Sequence, residues 1–160
     1  MNEWCFHSHS PEETDRLAAA LAPLLPERST IALRGNLGAG KTRFVQGLAA
    51  ALGVPREFVV SPTFVLCQIY YGQRTLHHYD LYRLEREQEF WKLGPEEAFA
   101  EPGLVVIEWA DKFPNCLPGE YLEIEIHSAA EPDQSNSREF YLRGHGSPFE
   151  TVVARLQAWI

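Results

Sequence analysis

The spacing of hydrophobic and polar positions switches repeatedly along the chain between a two-residue and a 3.6-residue period. Trp4 and Phe6 fall on one side of the first segment and Cys5 and His7 on the other, which predicts a short strand. Ser10-Pro11-Glu12-Glu13 then opens a helix: a capping serine, a proline suited to the first turn, and an acid three residues after the cap. Leu17, Leu21, Leu24 and Leu25 give that helix an apolar face, and Pro23 and Pro26 end it. Ser29 to Leu33 is a β-rich run followed at once by a glycine-rich loop. From Lys41 to Leu52 the period is helical again, with Phe44, Val45, Leu48 and Leu52 on one face and Gly53 as the stop.

Ser61-Pro62-Thr63 predicts a loop, because proline disfavours helical geometry in the residue before it. Phe64 to Tyr71 and Arg74 to Tyr79 read as a hairpin turning at Gly72-Gln73. Helical segments fill Glu85 to Phe99, broken at Gly94-Pro95. Leu104 to Trp109 is almost continuously apolar, the pattern of a strand buried on both faces, with Glu108 near its end. Tyr121 to Ile126 alternates as a half-exposed strand, Arg138 to Arg143 looks like its hairpin partner, and a helix over about Phe149 to Trp159 follows.

Composition places these elements in one domain, residues 1–160, with a hydrophobic fraction of 45% that suits a globular protein with its own core. The formal charge of −8 and the scatter of single lysines and arginines, of which only Arg83 and Arg86 approach a cluster, lack the basic patch that grips a nucleic-acid backbone. Any contact with RNA is therefore expected to be indirect, through a larger assembly. Apolar runs such as Gly103 to Ile107 are too short to cross a bilayer, and Met1-Asn2-Glu3-Trp4 lacks the basic start of a secretory signal. Cys5, Cys67 and Cys116 stand far apart, which argues against a disulfide framework or a zinc site and for a reduced, cytoplasmic protein.

The most specific chemistry lies in Gly35-Asn36-Leu37-Gly38-Ala39-Gly40-Lys41-Thr42, which has the spacing Gly-x-x-x-x-Gly-Lys-Thr of a P-loop between a strand and a helix. Glycines let successive backbone N–H groups turn inward around a phosphate at the positive end of the following helix. Lys41 adds a positive charge between the β- and γ-phosphates, and the Thr42 hydroxyl is placed to ligate Mg²⁺. Catalysis needs more: a second holder for the metal and a group that orients water. Two acids compete for these tasks. Glu108 ends the apolar strand, and Asp80 ends a hairpin strand beside His77, His78 and Arg83. Read as ordinary structure, Glu108 is an exposed carboxylate just past a strand and Asp80 a cap before Tyr82.

Thr63, in the loop after the P-loop helix, offers a hydroxyl and backbone for sensing a γ-phosphate as switch loops do, whereas Ser61-Pro62-Thr63 taken alone reads as an ordinary Ser-Pro turn. His77 and His78 adjoin on a strand and point to opposite faces, so a core or surface role suits each better than shared ligation. Trp109 borders Glu108 on the nucleotide or partner side. Arg138, taken alone, reads as a solvated strand arginine.

The order of these motifs resembles one family, the bacterial ATPase TsaE of tRNA threonylcarbamoyladenosine synthesis. The resemblance rests on Leu33 to Thr42, on Ser61-Pro62-Thr63-Phe64, on His78-Tyr79-Asp80-Leu81-Tyr82-Arg83 and on Val106-Ile107-Glu108-Trp109-Ala110-Asp111. It implies an α/β fold, the P-loop NTPase three-layer sandwich with a mixed parallel and antiparallel central sheet. It implies ATP on residues 35–42, Mg²⁺ on Thr42 and Glu108, Asp80 as a catalytic or metal-linked acid, and Ser61 and Thr63 in a switch loop. Thr14 and Arg138 would lie near the nucleotide. The implied activity is slow ATP hydrolysis that resets a transferase made of TsaD and TsaB, which modifies tRNAs reading codons that start with adenine.

Other P-loop proteins divide on features visible here. A small-molecule kinase carries an arginine-rich lid, and the helical stretch after Arg83 offers only Arg86 and Lys92. A GTPase needs Asn-Lys-x-Asp, which Ala110-Asp111-Lys112 does not supply. A nucleotide-dependent binding module, in which hydrolysis only resets a docking surface, stays close to the family picture.

Overall fold

The computed structural model describes residues 3–36, 38–60, 65–128 and 136–159. The strands are β1 (Glu3–Ser8), β2 (Arg28–Arg34), β3 (Cys67–Tyr71), β4 (Thr75–Asp80), β5 (Gly103–Glu108), β6 (Tyr121–Ser128) and β7 (Arg138–His145). The helices are α1 (Pro11–Leu21), α2 (Lys41–Ala51), α3 (Glu87–Trp91), α4 (Pro95–Ala100) and α5 (Ser147–Trp159). Ser10 caps α1 as its sequence predicts, its hydroxyl accepting the Glu13 N–H at 3.1 Å.

All seven strands join one sheet in the order β1-β7-β6-β2-β5-β4-β3. β4, β5, β2 and β6 run parallel, while the β3–β4, β6–β7 and β1–β7 pairs are antiparallel. The parallel centre explains why β5 is apolar at almost every position: it is buried along its whole length, covered on both faces. Ile31, Leu33, Leu104, Val106, Ile124 and Phe140 project to one face, against Leu17 and Leu21 of α1, Phe44 and Leu48 of α2 and Val153 and Leu156 of α5. Ala32, Tyr79, Val105 and Ile107 project to the other, against Phe90 of α3 and Ala98 of α4. Helices, sheet and helices thus form the three layers and the mixed sheet that the family resemblance implies. Among the described residues no helix is long and apolar enough to cross a membrane.

Beyond β2 the second face carries charge instead of helices, and the alternation of β6 and β7 shows why. Arg143 of β7 donates from Nη1 to Glu123 at 2.5 Å and Glu125 at 2.9 Å, and its Nε reaches Glu3 across β1. Burial alone would raise the Glu123 and Glu125 carboxyls, but hydrogen bonds from Arg143, His145 and His127 outweigh it and hold both below their ordinary value of 4.5. A depressed carboxyl stabilises the fold fully above its unfolded value, and that contribution is lost as pH falls through the folded one. Arg143→Ala should therefore cost about 1–2 kcal/mol at pH 7. Its deficit from wild type should shrink below about pH 4.5. Urea unfolding between pH 7 and pH 3 measures it; a deficit independent of pH would refute the attribution.

Candidate functional site

The parallel strands β2, β5 and β4 end together, and the chemistry-bearing residues cluster at their carboxyl ends. This is where ligands bind in open α/β sheets. β2 stops at Arg34, and the chain turns through Gly35, Gly38 and Gly40, whose φ angles of 151°, 78° and 107° are ones that side-chain-bearing residues rarely adopt. At Gly35 a Cβ would stand 2.7 Å from the Ile126 carbonyl oxygen, so the loop can lie against β6 only as glycine. Gly40 is the N-cap of α2 and supplies no side chain, which leaves the first N–H groups of the helix to a ligand.

Lys41, only 5% exposed, donates from Nζ to the carbonyls of Gly35 at 2.6 Å and Asn36 at 2.9 Å. The same ammonium sits 4.3 Å from the centre of the Trp109 ring. Burial pushes its pKa down, and the carboxylates of Glu108, Asp80 and Asp111 pull it part of the way back. The expected extension of β5 to Trp109 does not hold. The strand ends at Glu108, because Trp109 takes a left-handed φ of 60°, and its ring also lies 5.0 Å from that of Tyr82.

Asp80 and Glu108 are direct register partners on parallel β4 and β5, so their side chains leave the same face of the sheet, the face that carries α2. Both are buried, at 1% and 3% exposure, so Glu108 is not the exposed carboxylate of the ordinary reading. Asp80 accepts the Tyr82 N–H at 2.9 Å, so it is the turn cap of the plain reading and the neighbour of Glu108 at once. Glu108 Oε2 meets His78 Nε2 at 2.5 Å, a contact the sequence reading did not anticipate. Its trace was the two-residue period from Leu76 through His78 to Asp80, which sets all three on one face.

On the other side of the loop, Thr14 and Arg138 come together around Gly40, with Pro11, Arg43 and Phe140, about a small cavity of roughly 60 Å³. Thr14 is buried and shares a 2.8 Å hydrogen bond with Ser8. Arg138 is not a solvated strand arginine: its Nε donates to the Ala39 carbonyl at 2.9 Å, because β7 begins directly against the P-loop. Asp15 ties Arg43 at 2.9 Å to Arg56 at 3.0 Å, a clamp between α1, α2 and the segment leading to Ser61 that no local pattern announces. Thr42 lies half-buried in the first turn of α2. Leu37, Ser61 and Thr63 lie outside the described residues.

The donor set suits a hard cation. A hydroxyl and two buried carboxylates offer oxygen only. Among the described residues no three His, Cys, Asp or Glu side chains converge as a ligand cluster. A Mg²⁺ ion held here would therefore complete its shell with phosphate and water oxygens, its usual habit.

Comparison with known proteins identifies the family. The family described as "Threonylcarbamoyl adenosine biosynthesis protein TsaE" matches residues 8–139. The tRNA threonylcarbamoyladenosine biosynthesis protein TsaE of Treponema pallidum is 40% identical over 124 residues, covering 78% of this chain and 91% of that protein. The protein of the same name from Bacillus subtilis is 36% identical over 98% of this chain and 95% of its own length. The crystal structure of Bacillus subtilis YdiB superposes with a TM-score of 0.80 at 29% identity, covering 98% of this chain and 95% of that one.

Proposed function

Because this chain belongs to the TsaE family of tRNA threonylcarbamoyladenosine biosynthesis proteins, we propose that it is a Mg²⁺-dependent ATPase whose nucleotide cycle resets the transferase that makes the modification. The observation that carries this reading is the meeting of the P-loop, Asp80 and Glu108 at the ends of β2, β4 and β5. In it, the backbone N–H groups of residues 35–42 cup the phosphates, and Lys41 moves from its carbonyl partners onto the β- and γ-phosphates. Thr42 and Glu108 hold the metal. Bound Mg²⁺ neutralises charge that develops on the transferred phosphoryl group. Asp80, one strand away, is the second acid, joined to the metal or to the attacking water. Trp109 steadies the Lys41 ammonium from the side. Thr14 and Arg138 face the nucleotide beyond Gly40, and Ser61 and Thr63 report its γ-phosphate to a partner.

The partners in this reading are TsaD and TsaB, in the cytoplasm, with tRNA engaged through them. The acidic composition supports that division of labour. The deciding experiment is reconstituted tRNA modification over many turnovers, with and without this chain, beside Lys41→Ala and Glu108→Ala. Wild type should sustain turnover that both variants lose. Turnover indifferent to the chain, or fully supported by Lys41→Ala, would overturn the proposal.

A further inference from the structure

His78 stands where burial alone would place an aliphatic residue. It lies between Leu76 and Asp80 on β4, opposite Val106 of β5, and is fully buried among apolar side chains of the sheet face that carries α2. One of its nitrogens reaches Glu108 Oε2 at 2.5 Å; the other, Nδ1, is buried with no partner among the described residues. A carboxylate only accepts, so Nε2 carries the hydrogen, while Nδ1 faces no partner among the described residues. Leaving a buried polar atom unpaired costs about 1–3 kcal/mol. A leucine would avoid that cost, so stability does not explain the imidazole here. The contact with Glu108 does.

We infer that His78 is a positioning residue: its Nε2–H fixes the Glu108 carboxylate through Oε2 and leaves Oε1 for the metal. The inference rests on the reading of Glu108 as a metal holder. Groups that orient a metal ligand from behind are worth about 10–100-fold in metal affinity. Carboxylate rotation is the freedom removed. A free Glu108 would have to give up alternative rotamers whenever the metal binds, whereas one already tied at Oε2 does not.

The test compares two amides of different reach. Glutamine can set its N–H near the position of Nε2, while asparagine ends near Nδ1 and falls short of Glu108. Mn²⁺ binding to the ADP complex, followed by electron paramagnetic resonance, should weaken about 10–100-fold in His78→Asn and stay near wild type in His78→Gln. ADP binding without metal should be the same in all three. Glu108→Gln separates the two ideas. If Glu108→Gln weakens Mn²⁺ but the two His78 variants match each other, the positioning role falls and the site reading stands. If Glu108→Gln leaves Mn²⁺ binding intact, both fall. Nitrogen-15 chemical shifts of His78 in the metal-free wild-type protein give a check that needs no variant. They should show hydrogen on Nε2, and a ring with Nε2 bare would overturn the inference.

Discussion

Glu108→Gln should leave ATP binding close to wild type and slow hydrolysis by about 10²–10³-fold, a loss of roughly 3–4 kcal/mol in the transition state. The substitution keeps the shape of the side chain and removes its charge. Its amide oxygen can still accept from His78 Nε2, now 2.5 Å from Oε2. The amide NH₂ then takes the place of the second oxygen, where it can only repel a cation. The whole effect therefore falls on the metal and not on packing around β5. Single-turnover hydrolysis at rising Mg²⁺, beside Asp80→Asn, decides the assignment. If Asp80→Asn abolishes the metal dependence and Glu108→Gln does not, the two buried acids exchange roles.

Gly35→Ala should unfold the loop's docking onto β6, costing about 1–3 kcal/mol from overpacking together with about 1–2 kcal/mol for the left-handed backbone. The methyl group would meet the Ile126 carbonyl oxygen at 2.7 Å and the Ala39 side chain at 3.1 Å, at a φ of 151°. Neither neighbour can give way cheaply, since one is strand backbone and the other is the loop itself. The carbonyl of Gly35 also receives Lys41, so a displaced Gly35 disturbs the lysine as well. Nucleotide affinity should fall with stability. Gly38→Ala is the matched control: its φ of 78° carries the backbone cost, yet a Cβ there meets nothing within 4 Å. Thermal unfolding should therefore place Gly35→Ala well below Gly38→Ala, and equal melting temperatures would refute the role of the β6 contact.

Features with a local cause were legible in the sequence. The cap at Ser10, the glycine loop between strand and helix, the break at Gly94-Pro95 and the buried run of β5 each follow from neighbours along the chain. What escaped depends on residues far apart. The tie from Arg138 to Ala39 spans 99 positions and that from His78 to Glu108 spans 30, and nothing in either short segment specifies the partner. Trp109 escaped for another reason. An aromatic residue just past four aliphatic ones and Glu108 suggests more strand, but the turn at the end of β5 overrides that preference with a left-handed backbone. Asp80 was ambiguous because capping the turn does not use up the carboxylate: one of its oxygens serves the Tyr82 N–H whatever else the side chain does.

The pairing of β1 with β7 sets a schedule for folding. Glu3 lies opposite Arg143 and Ser8 opposite Arg138, so the first strand has no sheet to join until residues beyond position 138 are present. β2 likewise waits for β5 and β6 before both its edges are closed. Contacts between such distant segments require loop closure before they return any stability, which slows folding relative to topologies built on local contacts. On a ribosome, α1, α2 and the glycine loop emerge early with their apolar faces uncovered. The glycine loop finds its support at Gly35 only once β6 is in place, so a nucleotide bound as proposed would act on the late stages of assembly and not the early ones.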